Sequence, residues 1–352
     1  MTAIQPARQH DSSLVVADAT DANEWDAFVR GASDASFCHL WGWRPLIEQT
    51  MRHRGRYLAA RDSSGRIVGA LPLIRIANRI FGDHFLSVPF MNYGGPIGTP
   101  DACVALASAA IEIAKTGNAD SLLLRCRTAV PGDFSTSDAK ITVTMPLPAT
   151  SDELWNKGFN AKFRNKIKRP QRDGMSTRFG VDQLDAFYDV WAENMRDLGT
   201  PVLPREFFQG IVKSFPEMVV VGATYWNDRA VAGGFGFIWG TEFEMTWSSS
   251  LKETRAAKPN MLLYWDYMRE LIDQRGVRKF NFGRSTPGTG THEFKQSWGG
   301  IDEPLPWIQW PGGAGGSGES GTAKLASTVW RYMPLGVANA IGPTLARKLP
   351  WW

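Results

Sequence analysis

One order of segments occurs twice in this chain, and two copies of one supersecondary unit leave few folds open. In the first copy, Tyr57-Leu-Ala-Ala-Arg61 and Ile67-Val-Gly-Ala-Leu-Pro-Leu-Ile74 flank the turn Asp62-Ser-Ser-Gly65 and read as a β-hairpin. A strand around Phe85 to Met91 follows, then an alanine-rich helix from Ala102 to Lys115 stopped by Gly117, then the strand Ser121-Leu-Leu-Leu-Arg125. The second copy runs Val219 to Tyr225, a turn at Trp226-Asn-Asp-Arg229, Ala230 to Ile238, and a strand from Phe243 to Ser248. A helix from Met261 to Arg275, with Asn260 as its expected cap and Gly276 at its end, leads to the strand Lys279-Phe-Asn-Phe282. Aligning Gly69 with Gly233 sets the offset at 164 residues, and the other elements follow approximately.

Each copy is preceded by helices, expected at Glu24 to Arg30 and Leu40 to Met51, then at Asp152 to Lys168, Gln183 to Leu198 and Arg205 to Phe215. Helices, an antiparallel meander, a crossing helix and a further strand is an order that resembles an acyl-CoA N-acyltransferase (GNAT-like) domain. The expected fold class is therefore α/β (α+β), with two tandem GNAT-like domains whose mixed, mostly antiparallel sheets are flanked by helices. The expected boundaries are 14–150 for the first domain, 151–310 for the second, 311–322 for a glycine-rich linker and 323–352 for a C-terminal amphipathic tail.

Composition narrows the function classes. Net charge is only +4, so a nucleic-acid or other polyanion surface must be local rather than global. Cys38, Cys103 and Cys126 have neither metal-ligand spacing nor an even count, which fits buried thiols in a reducing compartment. Met1 to Asp11 holds no secretory apolar run, and Tyr332 to Ala346 is too short and too broken by Pro and Gly to span a membrane. A cytoplasmic location is expected. In the tail, Trp330, Tyr332, Trp351 and Trp352 stand among Lys324, Arg331, Arg347 and Lys348, a mixture that suits either peripheral contact with the inner face of an anionic membrane or docking on the protein's own body.

The sharpest chemical cluster is Phe282-Gly-Arg-Ser-Thr-Pro-Gly-Thr-Gly-Thr-His-Glu-Phe-Lys-Gln-Ser-Trp-Gly299. A strand ends there in a glycine-rich loop, where binding groups collect. Arg284 offers a planar fork for carboxylate or phosphate, and Lys295 a compact positive charge. The glycine spacing matches neither a dinucleotide fingerprint nor a P-loop. This cluster resembles the signature of Fem-family proteins associated with exosortase/PEP-CTERM loci, relatives of the FemA, FemB and FemX peptidoglycan-bridge aminoacyltransferases. Val88-Pro-Phe-Met-Asn-Tyr-Gly-Gly95 resembles another motif of that subgroup. The resemblance covers roughly residues 14 to 310, and the Trp330 to Pro350 tail resembles the subgroup's ending. It implies transfer of an acyl or aminoacyl group to an amine of a cell-envelope, peptidoglycan or exopolysaccharide precursor. It also implies aminoacyl-tRNA as donor in classical members, and it places Asn92 and Tyr93 among the substrate-binding candidates.

A second cluster is basic. Lys157, Lys162, Arg164, Lys166, Lys168, Arg169 and Arg172 occur without an acidic residue between them. On one helix, Trp155, Phe159, Phe163 and Ile167 would form the buried stripe, leaving Lys162, Arg164, Lys166 and Arg169 to meet phosphates of a tRNA or nucleotide-linked precursor, or simply to face solvent. GNAT enzymes cradle the coenzyme A diphosphate with a glycine-rich loop at a helix N-terminus. The corresponding Arg255-Ala-Ala-Lys-Pro-Asn260 has no glycine, and Pro259 removes a donor, which argues against acyl-CoA, although Arg255 and Lys258 remain candidates for donor phosphate.

Aminolysis of an activated ester or thioester needs orientation, removal of an ammonium proton and a positive partner for the oxyanion. Lys295 is the candidate for the oxyanion, and Glu293 and His292 are candidates for proton transfer. Strand alternation would pair His292 with Phe294 on one face and Glu293 with Lys295 on the other. Glu242 and Glu244 lie in a strand and are expected to face solvent, and His10, His39, His53 and His84 are isolated. No metal site and no tightly bound cofactor is expected. Two rivals are an acyl-CoA-dependent N-acyltransferase and a non-catalytic precursor-binding protein of the same fold.

Overall fold

The computed structural model describes residues 14–312 and 321–349. The first half runs β1 (Val15–Asp18), α1 (Ala22–Gly31), α2 (Trp43–Thr50), β2 (Arg54–Arg61), β3 (Ile67–Asn78), β4 (Gly82–Leu86) and a short β5 (Ile97–Gly98) paired back on β3. Next come α3 (Pro100–Thr116), β6 (Ser121–Leu124), β7 (Thr136–Ser137) and β8 (Ile141–Pro146). The second half runs α4 (Ser151–Glu153), α5 (Ala161–Arg172), β9 (Ser176–Phe179), α6 (Leu184–Leu198), α7 (Arg205–Ser214), β10 (Val219–Trp226), β11 (Arg229–Trp239) and β12 (Glu242–Ser250). It continues with α8 (Pro259–Arg275), β13 (Lys279–Ser285), α9 (Gly290–Gln296), β14 (Ile301–Pro304) and β15 (Trp307–Trp310), and α10 (Gly321–Arg331) and α11 (Leu335–Ala346) follow.

The repeat is visible in the strand order. In each half a hairpin and a third strand are followed by a helix, and the next strand returns parallel to the third, as β4 with β6 and β12 with β13. The halves also exchange strands. β8, from the first half of the chain, lies antiparallel between β13 and β14 of the second sheet. β15, from the second half, lies antiparallel between β6 and β7 of the first sheet. The chain can be cut near residue 150 in sequence, but the sheets are completed across that cut.

Local chemistry explains the crossing helices. Thr99 accepts the amide of Ala102 as the α3 cap, and Pro100 occupies the first turn, where its missing N–H costs nothing. The α3 face of Ala102, Leu106, Ala107, Ala110 and Ala114 is small and buried, so the helix lies close on the sheet. α8 is capped differently from expectation. Lys258, in a left-handed conformation with φ 59°, precedes Pro259, and the Asn260 side-chain oxygen makes no capping bond. The helix expected from Asp152 to Lys168 is broken, because Phe159 is extended and Asn160 starts α5 by accepting the amide of Phe163.

The largest core is aromatic and belongs to both halves. Phe37 stacks on Phe237 with ring centroids 4.1 Å apart, and Trp43 lies 4.7 Å from Phe215 and 6.4 Å from Phe207. Such pairs add about 0.5–1.5 kcal/mol each beyond area burial, so this core fixes the relative placement of the halves. The tail packs on the body: Trp330 and Ala338 are buried, and Arg196 Nη1 donates to the Met333 carbonyl at 3.0 Å. Trp351 and Trp352 lie outside the described residues. Among the described residues no helix is long and apolar enough to cross a membrane.

Candidate functional site

The second sheet parts at one place. β12 and β13 pair in parallel at Glu242 with Lys279, Phe243 with Phe280 and Glu244 with Asn281, and there the pairing ends although both strands continue. The strand β12 also carries a bulge, since β11 pairs Phe235 with Trp247 but Gly236 with Met245, leaving Thr246 unpaired. Gly283 lies just past the parting with φ 74°, and a Cβ there would come within 2.9 Å of the Met245 carbonyl and 3.1 Å of Asn92 Nδ2. Only glycine leaves room for that asparagine.

Asn92 reaches the parting from the first half and donates from Nδ2 to Glu244 Oε1 at 2.7 Å. Thr246 Oγ1 donates to the same oxygen at 3.0 Å. Glu244 does not face solvent as alternation suggested. It is 3% exposed, because that face of β12 is covered by the other half of the chain. Burial, reinforced by the neighbouring Glu242, pushes its carboxyl up to about 7, against the opposing hydrogen bond from Asn92 and the charge of Arg127.

Tyr93 extends the network. Its hydroxyl donates to Thr142 Oγ1 at 2.8 Å, Thr142 donates to Asn281 Oδ1 at 2.8 Å, and Asn281 Nδ2 donates to Glu242 Oε1 at 2.8 Å. Arg127 closes it with Nη2 at 2.9 and 2.8 Å from the two Glu242 oxygens and its guanidinium 5.0 Å from the Tyr93 ring centre. Asn92 and Tyr93 are thus buried and engaged with protein partners, as is His39, whose Nε2 lies 3.0 Å from the Gly95 carbonyl.

Lys295 approaches the end of β13 from α9. The segment expected to alternate as a strand is helical, so His292 and Lys295, three residues apart, share the buried face while Glu293 is exposed and Phe294 half-buried. Lys295 is 4% exposed, and its Nζ donates to the carbonyls of Gly283 at 2.9 Å and Arg284 at 2.8 Å. Burial, then the charge of Arg284, brings its ammonium down to about 7, while Glu244 pulls the other way. Arg284 stacks on Trp307 of β15 with 5.2 Å to the ring centre, and Lys140, Ser285, Thr286, Thr289 and Thr291 complete a pocket of about 300 Å³ beside it. His292 accepts the amide of Gly288 at Nδ1 and donates from Nε2 to Asp302 at 2.9 Å, so its ring ties α9 to β14.

The other expected residues lie away from this point. On α5, Arg164 Nη1 donates to the carbonyls of Phe159 at 2.5 Å and Trp155 at 3.2 Å, while Lys162 and Arg169 are exposed and Lys166 lies over the Phe163 ring. Before α8, Arg255 Nη2 donates to Asn194 Oδ1 at 2.8 Å, and Lys258 is half-buried. Among the described residues no group of three or more His, Cys, Asp or Glu side chains is placed to hold a metal ion. Sequence reasoning missed Glu244 and Asn281; their signal was polar residues inside otherwise apolar strands, Glu-Phe-Glu-Met245 and Phe-Asn-Phe282.

Residues 158–296 match the family profile described as an acetyltransferase (GNAT) domain, which contains Glu244 and Lys295. The fold is similar to the crystal structure of FemX, with a TM-score of 0.60 and 14% identity, over 84% of this chain and 97% of that one. It is also similar to the C-terminal domain of a putative lysylphosphatidylglycerol synthetase from Agrobacterium fabrum, with a TM-score of 0.54 and 12% identity, over 88% and 96%. No curated protein sequence matches the chain. The chain has a Fem-like GNAT fold, and its second half carries an acyltransferase-type domain.

Proposed function

We propose that the protein transfers an activated acyl or aminoacyl group to an amine of a cell-envelope or exopolysaccharide precursor, with the reaction centred on Glu244 and Lys295. The observation that carries this reading is the pair itself. A carboxyl and an ammonium, each driven to about 7 by burial, stand near the parting of β12 and β13 inside the acetyltransferase-like segment. Groups tuned close to neutrality are suited to proton transfer, and perturbed pairs concentrate at active sites. A non-catalytic binding module would suit a lysine pointing to solvent, whereas Lys295 is buried.

In this reading Glu244, once ionised, takes the proton from the acceptor ammonium, directly or through one water. The freed amine attacks the donor carbonyl, and the electron pair moves onto its oxygen. Two of the three Lys295 N–H bonds are used on the Gly283 and Arg284 carbonyls, which leaves one for that oxyanion. The tetrahedral centre then collapses and expels the donor alcohol or thiol, which takes up the second proton from the former amine nitrogen, while the proton held by Glu244 passes to solvent. Arg284, with its planar fork beside the 300 Å³ pocket, holds a carboxylate or phosphate of the substrate. Asn92 orients Glu244 from the first half, and Tyr93 supports Asn281 below it. Glu293 is exposed and His292 is committed to Asp302, so the proton is assigned to Glu244.

For the donor, the neighbours name both a Fem protein and a lysylphosphatidylglycerol synthetase, which favours aminoacyl-tRNA with the α5 cations on its phosphates. The matching acetyltransferase profile favours acyl-CoA, with Lys258 and Arg255 near its phosphates. Envelope assembly of the exosortase/PEP-CTERM type is the context that the motif resemblance implies. Purified protein incubated with labelled aminoacyl-tRNA or acyl-CoA and an amine acceptor identifies the donor by which label is transferred. With that donor, Glu244→Gln should lower turnover at neutral pH by about 10²-fold or more and remove the acidic limb of the pH–rate profile. Full activity in Glu244→Gln would overturn the assignment.

A further inference from the structure

A second site lies in the first half, where the C-terminal end of α2, the start of β2 and the C-terminal end of α3 enclose a groove of about 830 Å³. Five arginines line it: Arg44, Arg52, Arg54, Arg56 and Arg75. Three of these have carboxylate partners. Arg56 holds Asp18 with 3.1 and 2.7 Å contacts, Arg75 holds Asp83, and Arg44 lies 3.5 Å from Glu48. Arg52 and Arg54 are exposed and have no ion-pair partner among the described residues. The end of α11 adds another cation to this region: Arg347 Nε donates to the Thr50 carbonyl at 2.9 Å, and its charge acts on His53.

One feature shows that this is more than a solvated arginine cluster. His53 is 7% exposed, its Nε2 has no hydrogen-bond partner, and burial together with Arg347 holds it neutral at ordinary pH. Arg52 adopts φ 63° directly after Met51, the C-cap of α2, the left-handed position that ends many helices and here turns the chain into β2. Collecting like charges around a concavity leaves an uncompensated positive field there, and guanidinium forks match phosphoryl oxygens two at a time.

We propose that this groove binds phosphoryl groups, with Arg52 and Arg54 as the principal ligands. It is separate from the Glu244–Lys295 chemistry and does not depend on it. The phosphate can belong to a soluble compound or to a lipid headgroup, and the adjoining helices favour the lipid. Leu325, Val329 and Tyr332 on and just after α10 recur at helical spacing and are 58–85% exposed, with Val337 and Ile341 also exposed on α11. The buried contacts of these helices are made by Trp330, Ala338 and Gly342 instead, so apolar side chains face both inward and outward. No acidic residue occurs from 321 to 352, where Lys324, Arg331, Arg347 and Lys348 are found. That combination suits the surface of an anionic bilayer.

The test uses the full chain with two probes, pyrophosphate in solution and vesicles of phosphatidylglycerol compared with phosphatidylcholine. The parent should bind pyrophosphate saturably or float with phosphatidylglycerol vesicles in preference to phosphatidylcholine, and the His53 imidazole NMR signal should move on binding. The variant R52E/R54E should weaken whichever binding occurs at least tenfold, with an unchanged thermal melt and unchanged turnover on soluble substrates. L325Q/V329N/Y332S should weaken vesicle binding alone. Pyrophosphate binding without vesicle binding assigns the site to soluble phosphates. Vesicle binding lost in both variants assigns it to lipid. Absence of both kinds of binding, or equal binding by R52E/R54E and the parent, overturns the proposal.

Discussion

The two halves follow one order, but they treat the parting of their parallel strands differently. In the first half, β4 and β6 pair through Leu86 and Leu123, and the chain then fills the gap itself. Ser87 N donates to the Leu123 carbonyl at 3.0 Å, and Gly95 N donates to the Arg125 carbonyl at 3.1 Å. Arg125 is 1% exposed and donates from Nη1 to the Met91 carbonyl at 2.5 Å. In the second half the corresponding gap is bordered by Glu244, Arg284 and Lys295, and Lys295 stands on α9, whereas residues 125–135 of the first half form no helix. Of the two copies, one closes its parting with main chain, lends Asn92 to the other and becomes a support. The other borders its parting with a buried carboxyl and a buried ammonium, Glu244 and Lys295, each of which loses solvation there.

The strongest way to break this comparison is to exchange the two consequences. Lys295→Ala should lower transfer per folded molecule about 10²–10³-fold, the usual loss for an oxyanion donor, and should also lower the melt because the Gly283 and Arg284 carbonyls lose their donor. Lys295→Arg keeps the charge but changes its reach, and should recover only part of the rate. Arg125→Met should lower only the melting temperature, because the Met91 carbonyl loses its charged donor, with turnover per folded molecule nearly unchanged. If Arg125→Met abolishes turnover and Lys295→Ala does not, the chemistry belongs to the first half.

A smaller effect separates the halves by pH. The Glu244 carboxyl is raised from 4.5 to about 7 in the folded protein, so folding favours its protonated form. The stability this gives is complete below about 4.5 and is lost as pH rises to about 7. Lys295 is lowered from 10.5 to about 7, so its neutral form gives stability that is present above about 10.5 and lost as pH falls to about 7. Both contributions are therefore weakest near neutrality, where catalysis would need the charged forms. Glu244→Gln should be more stable than the parent at pH 7 to 8, by an amount on the order of 3 kcal/mol at most, and equally stable at pH 4. Denaturant melts at the two pH values measure this, and an equal difference at both would mean that Glu244 carries no buried charge.

The parts of this design that the sequence displayed are those set by local chemistry. Hairpins appear because turn residues such as Asp62-Ser-Ser-Gly65 separate apolar runs, and α3 appears because an alanine-rich segment ends at Gly117. The exchange of β8 and β15 was hidden, since nothing in Ile141–Pro146 or Trp307–Trp310 states which of two similar sheets it completes. Glu244 was misplaced because alternation tells which residues share a face, not whether the other half of the molecule covers that face. His292 to Lys295 read as a strand because four residues cannot distinguish the two periods, and the Thr289 cap that starts α9 lies in a glycine-rich loop. The parting itself is a long-range property, because Asn92 and Glu244 are 152 residues apart.

The smallest expected effect concerns α5, the basic helix that precedes the second sheet. Its cations are unequal: Arg164 holds the end of the preceding turn through the Phe159 carbonyl, whereas Lys162 and Arg169 are exposed, Arg169 only 3.9 Å from Asp173. Arg164 is therefore a structural residue whose replacement would confuse the measurement. Lys162→Gln/Lys166→Gln/Arg169→Gln should leave the melt unchanged. If the donor is aminoacyl-tRNA, each lost phosphate contact reduces the slope of log affinity against log salt by up to about 0.9, so the triple variant binds more weakly at low salt, with a visibly flatter dependence and a difference that shrinks as salt rises. The same variant measured with acyl-CoA should show almost no change, because a single diphosphate cannot span three positions along a helix. A flat response with both donors would leave α5 as a solvated face, and would place the protein's polyanion contacts, if it has them, on the arginine groove of the first half.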